Sequence, residues 1–166
     1  MEAIFINLIN ASIEPIKEIG DAVTLIKAFS SLAWRNSIVR CVSKNENFVT
    51  HLFIQECNTI RKDFDANRRK PPLRKFEPAH AGAALWAKSL LTSIKWKWNQ
   101  LCIMSDSHEI EDNEVKSEFA KIVSTLEAYQ RQRHRDWIDS LLTEDVSKLP
   151  QRFDQVRLYF ICIISF

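Results

Sequence analysis

Trp96 and Trp98 alternate with Lys95 and Lys97 in the stretch SIKWKWNQ, and RQRHRDW sets Arg131, Arg133, His134 and Arg135 ahead of Trp137. Basic residues interleaved with aromatic ones can stack on single-stranded nucleic acid or sit at a membrane interface. On a helix, however, Trp96 and Trp98 point about 200° apart, so the two rings cannot form one platform. One of them is expected in the core and the other exposed or against a partner. A second basic run extends from Arg61 to Lys75 and holds seven basic residues against Asp63 and Asp65. It reads either as a solvated helix end, where cations are favourable, or as a docking surface for an acidic partner. The net charge of +2 is too small to imply a polyanionic partner for the whole chain.

Other chemistry is missing from the sequence. It has no GxxxxGK[ST] phosphate loop, no GxGxxG fingerprint, no HExxH and no GxSxG. His51, His80, His108 and His134 are far apart, and His108 beside Glu109 reads as a loop histidine rather than a metal ligand. Cys41, Cys57, Cys102 and Cys162 form no CxxC pair and read as unbridged thiols in a reducing compartment, with Cys41 and Cys57 as small core residues. No nucleophile and base stand together. Neither catalysis nor a cofactor nor a metal is expected of this chain.

The elements that must position these residues are helical. Only two of the 166 residues are glycine, too few for a nucleotide-binding loop or for the tight hairpins of an all-β fold. Apolar residues make up 46% and charged residues 27%, and the length suits one domain, taken as residues 1–166. Ile16, Ile19, Val23, Ile26, Phe29 and Ala33 step by three and four, which predicts a first helix with Pro15 in its first turn. The pattern runs on toward Val42 and breaks at residues 43–47. A second helix carries Phe48, Leu52, Ile60 and Phe64 and ends near Asn67, because Pro71 and Pro72 cannot continue it. A third starts near Ala79 with Ala84, Leu85, Leu91, Ile94, Trp98 and Leu101 on its apolar face, and fades in SDSHEIEDN. The fourth and longest places Val115, Phe119, Ile122, Leu126 and Tyr129 at a/d-like positions, continues through Arg133, Trp137 and Leu141, and should end before Pro150. The expected fold is all-α, an elongated bundle of about four helices with an irregular Pro-rich connection at 68–78. The N-terminal MEAIFINLINA begins with an acid and makes a poor signal peptide. The apolar C-terminal run RLYFICIISF is about half of the roughly 20 residues that span a bilayer.

The connection is the least ordinary part of the chain. In PPLRKFEPAHAGAALWAKSLL, Pro71 and Pro72 enforce an extended link, and Gly82 removes a side chain in the first turn of the next helix. Ala81, Ala83 and Ala84 keep that contact narrow, and Trp86 then packs on a neighbour. Such a junction fixes the angle between successive helical pairs. The stretch resembles the signature of the N-terminal tail of dynein heavy chains through Pro71, Pro72, Pro78, Ala81, Gly82, Ala83, Leu85, Trp86, Ala87 and Leu90, with Lys88 for the family's arginine. Upstream, Phe53, Glu56, Ile60 and Phe64 resemble the family's preceding helices. Downstream, Leu126, Glu127, Tyr129 and Trp137 resemble the helix that follows. Phe76, Ala79 and His80 depart from the pattern. The resemblance covers about residues 20–142, and residues 150–166 are atypical.

The resemblance implies a segment of a dynein heavy-chain tail, more similar to axonemal than to cytoplasmic members. Such tails join heavy chains, bind intermediate and light chains, and touch microtubules only indirectly. It also implies a cytoplasmic, cytoskeletal place in the axoneme of a cilium or flagellum, a chain without the family's ATPase motor, and a fragment or truncated product. Neither nucleic acid nor membrane is an expected partner. The junction geometry is assigned to Pro71, Pro72, Pro78, Gly82 and Trp86, and candidate partner contacts are Arg68, Arg69, Lys70, Trp96 and Trp98. The competing readings are an unrelated helical adaptor and a nucleic-acid binder using the 61–75 cluster.

Overall fold

The computed structural model describes residues 2–30, 36–75, 77–104 and 113–143. Among these the fold is all-α and contains five helices: α1 (Glu2–Ile13), α2 (Ile19–Ser30), α3 (Asn36–Asn67), α4 (Ala79–Met104) and α5 (Asn113–Thr143). The described residues divide into two compact units, one from residues 2–59 and 93–120, the other from 60–92 and 121–143. Each of α3, α4 and α5 contributes to both.

In the first unit, α1 buries Ile9 and Ile13, and α2 buries Ile19, Ala22, Val23 and Ile26. The α2 set recurs at steps of three, one and three, one stripe of a 3.6-residue helix. On α3 the stripe runs Ile38, Cys41, Val42, Asn45, Val49, Phe53 and Cys57. Phe53 is fully enclosed and meets Trp98 of α4 at 5.6 Å and Phe119 of α5 at 6.3 Å between ring centroids. Trp98 and Phe119 stack at 4.3 Å with planes 8° apart. Such pairs contribute about 0.5–1.5 kcal/mol beyond their buried area. Lys97 of α4 reaches Glu56 of α3 at 2.7 Å, with both side chains partly buried.

The second unit has the same composition principle. Ile60 and Phe64 of α3, Ala81, Ala83, Ala84, Ala87 and Leu91 of α4, and Ile122, Leu126 and Trp137 of α5 form its core. Trp137 of α5 lies against Ala81 of α4, with Leu85 and Leu141 packed beside them.

Three sequence expectations need correcting. Pro15 does not open a helix. It sits in the turn between α1 and α2, where Ile16 N–H donates to Ile13 O at 3.0 Å, and α2 begins only at Ile19. The apolar N-terminal stretch is itself a helix, α1. No break occurs at residues 43–47, since α3 runs unbroken through them. The reason lies at Asn45, a residue whose side chain usually competes with helical backbone. Here it is buried, its Nδ2 donates to Cys41 O at 2.8 Å and lies 3.4 Å from Asn10 Oδ1, so its polar demand is met inside the helix pair. Phe48, expected on the apolar face, is 36% exposed. The apolar C-terminal run and SDSHEIED lie outside the described residues.

Candidate functional site

The junction is built around the end of α3. Arg68 N–H still donates to Phe64 O at 2.7 Å, and Lys70 N–H closes a shorter turn on Asn67 O at 2.9 Å. The helix then stops, as it must before a proline pair that restricts the residue preceding it. Residues 71–74 carry no regular structure. At the far end Arg74 and Glu77 bind each other twice. Arg74 N–H donates to Glu77 Oε2 at 2.9 Å, and Glu77 N–H donates to Arg74 O at 3.1 Å. This closed turn delivers Pro78, whose carbonyl accepts the N–H of Gly82 at 2.8 Å and so opens α4. Pro78 has no N–H to leave unsatisfied at that position.

Gly82 is the tightest point. A Cβ there would stand 2.8 Å from Leu73 Cδ2 and 3.1 Å from Glu77 Cβ. The element that crowds Gly82 is therefore the connection itself, folded back on the first turn of α4. One turn further along α4, Trp86 stacks on Phe64 of α3 at 5.8 Å with planes 13° apart. Tyr129 of α5 meets both rings edge-on, at 5.1 Å from Phe64 and 6.3 Å from Trp86. The Tyr129 hydroxyl donates to Arg68 O at 2.8 Å, which satisfies one of the open carbonyls at the end of α3. Arg133 lies over the Tyr129 ring, its Cζ 5.1 Å from the centroid, and reaches Asp136 at 3.3 Å. Gln132 Nε2 also donates to Asp136, at 2.7 Å, and His80 Nδ1 lies 3.8 Å from it.

The structure thus gathers Pro71, Pro72, Pro78, Gly82 and Trp86 in the second unit. Arg68, Arg69 and Lys70 are exposed at the start of the connection. Arg68 faces Asp65 at 3.8 Å, but both side chains are more than half exposed, so the pair contributes about 0–1 kcal/mol. Trp96 and Trp98 belong to the first unit. Trp98 is stacked on Phe119, whereas Trp96 is 49% exposed and lies over Gly20, where a Cβ would come within 2.9 Å of its ring. Sequence reasoning missed Glu77, Leu73 and Gly20. Glu77, one residue before Pro78 and three after Arg74, carried a readable turn signal, whereas the contacts of Leu73 and Gly20 depend on tertiary approach.

A groove of about 360 Å³ opens beside the junction, lined by Pro72, Arg74, Glu77, Gly82, Leu85, Trp86 and Ser89. A second one, of about 320 Å³ in the first unit, is lined by Asn10, Ile13, Glu14, Lys44, Asn45 and Phe48. Also in the first unit, burial pushes the Cys102 thiol above its usual range, with nearby Lys116 opposing the shift. Among the described residues no group of three or more His, Cys, Asp and Glu side chains could hold a metal ion, and no helix is long and apolar enough to cross a membrane.

The family described as "Dynein heavy chain, N-terminal region 1" matches residues 1–153. The chain is 24% identical over 153 residues to the Dynein-1-beta heavy chain of the flagellar inner arm I1 complex of Chlamydomonas reinhardtii, covering 85% of this chain and 3% of that one. It is 21% identical over 136 residues to the Dynein gamma chain of the flagellar outer arm of the same organism, covering 80% and 3%. Against human Dynein axonemal heavy chain 10 the identity is 32% over 91 residues, covering 52% and 2%. The chain therefore spans about 3% of the length of the first two relatives. No solved structure matches. With a family match over 153 of its 166 residues, the chain belongs to the N-terminal region of dynein heavy chains.

Proposed function

We propose that this chain acts as an assembly segment of a dynein heavy-chain tail. It associates with other heavy chains and holds intermediate and light chains, while the microtubule is reached only through the rest of the complex. The match over residues 1–153 carries this reading. The flagellar and axonemal names of the relatives support a place in the axoneme of a cilium or flagellum. Nucleotide hydrolysis is assigned to other parts of the motor, since the sequence has no phosphate-binding loop.

In this reading Pro71, Pro72, Pro78, Gly82 and Trp86 hold the junction, and Arg68, Arg69, Lys70, Trp96 and Trp98 supply contacts to partner chains. Residues 1–166 act as a single helical domain. The test is affinity capture of the tagged chain from a lysate of ciliated cells, read by mass spectrometry. Recovery of dynein intermediate chains or other heavy chains is expected. Recovery of chaperones alone would overturn the proposal.

A further inference from the structure

We propose that the groove beside the junction is a docking site for an acidic peptide segment that carries one aliphatic anchor side chain. Three observations on this unit support it. The groove is concave and mixed in character: Leu85, Trp86 and Pro72 supply apolar lining, while Arg74, Glu77 and Ser89 supply polar lining. At about 360 Å³ it is at the small end of ligand sites, which span roughly 300–1,000 Å³. It therefore suits a single side chain and its backbone.

The second observation is charge. Arg68, Arg69, Lys70, Arg74 and Lys75 are all exposed along the same connection. The run from Arg61 to Glu77 carries seven basic residues against Asp63, Asp65 and Glu77; Asp65 lies 3.8 Å from Arg68, and one Glu77 oxygen accepts the Arg74 N–H, so basic residues stay in excess. Complementary charge gives such a surface its choice of partner and its rate of encounter.

The third observation separates a peptide from a nucleic acid, the other polyanion this surface could attract. Recognition of single strands needs aromatic faces on which bases can stack. The indole of Trp86 spends one face on Phe64, and the edge of Tyr129 stands against the same pair. What Trp86 offers the groove is apolar wall rather than a stacking platform. This inference is independent of the tail assignment, because it uses only the chemistry of this groove.

The experiment measures binding of three labelled hexapeptides to the intact chain by fluorescence anisotropy: EEDLED, the anchorless EEDGED and the charge-reversed KKRLKR. The expected order is EEDLED tightest, EEDGED weaker by about tenfold for the lost apolar burial, and KKRLKR without binding. Arg74→Glu should weaken EEDLED by about tenfold or more. Lys62→Glu, which makes the same charge change at an exposed residue outside the groove, should leave it within about twofold of the parent. Ser89→Glu, also at an exposed position, should act like Arg74→Glu. The peptide series on the unaltered chain needs no variant to fold. Failure to bind EEDLED, equal binding of EEDLED and EEDGED, equal loss in Lys62→Glu and Arg74→Glu, or tighter binding of a thymidine oligonucleotide than of EEDLED would each overturn the proposal. Peptide binding without recovery of dynein chains from lysate would sink the tail reading and keep the groove. The reverse result would do the opposite.

Discussion

Single aromatic residues govern both units. Phe53 is fully enclosed and touches two further rings, so Phe53→Ala should cost about 3–5 kcal/mol, read as a lower urea midpoint. Tyr129→Phe keeps the ring contacts and loses only the donation to Arg68 O, a bond near solvent, so a loss of about 1 kcal/mol or less is expected. Gly82 can be tested by two sizes of side chain. Gly82→Ala gains helix propensity of about 1 kcal/mol but must displace the flexible tip of Leu73 and crowd Glu77, so its stability should stay within about 1 kcal/mol of the parent. Gly82→Leu cannot be accommodated that way and should lose about 1–3 kcal/mol. Equal melting curves for the parent and Gly82→Leu would remove the close-approach argument. At this scale the sequence was informative where geometry is local. The 200° separation of Trp96 and Trp98 foretold different environments for the two rings: Trp98 is half-buried and stacked on Phe119 rather than in the core, and Trp96 is exposed. It was uninformative where the contact is tertiary, as with Leu73 on Gly82 or Trp96 on Gly20.

At the scale of elements, apolar periodicity located α4 and α5 well, because each presents one stripe to a core. Residues Val115, Ile122 and Leu126, singled out at a/d-like spacing, are all buried. The same method broke α3 in two, because Ser43, Lys44, Asn45, Glu46 and Asn47 read as a polar loop. Periodicity counts Asn45 as polar and cannot see that Asn10, 35 residues earlier, receives its amide. The continuity of α3 makes a sharp prediction at the exposed Ser43. Ser43→Pro removes a backbone hydrogen bond and clashes with the preceding turn, so it should cost about 3 kcal/mol or more. A loop at residues 43–47 would tolerate it, so a variant as stable as the parent would restore the two-helix reading. The helix α1 escaped notice for a different reason. It is apolar on more than its packed face, with Ile4 70% and Leu8 53% exposed, so no amphipathic pattern marks it.

For the molecule as a whole, the all-α class followed from two glycines and from helical spacing, and family membership followed from the unusual junction residues. The division into two compact units was not legible, since no linker, glycine run or change of composition marks it. Each of the three long helices contributes to both units. Unfolding is expected to be a single transition, with far-UV circular dichroism and tryptophan fluorescence tracing superimposable curves. Two separated midpoints would assign each unit its own stability. The connection at 68–78 has a further consequence, for proteolysis. Its residues 68–75 lie between α3 and α4, are exposed apart from the half-buried Pro71, and are rich in arginine and lysine. Trypsin should cut after Arg74 or Lys75, while the Lys70–Pro71 bond resists. The two pieces would still share the stack of Phe64 on Trp86 and the bond from Tyr129 to Arg68, which span the cut. A nicked chain should therefore travel as one particle through a sizing column and separate only in denaturant, a polypeptide severed in sequence and intact in space.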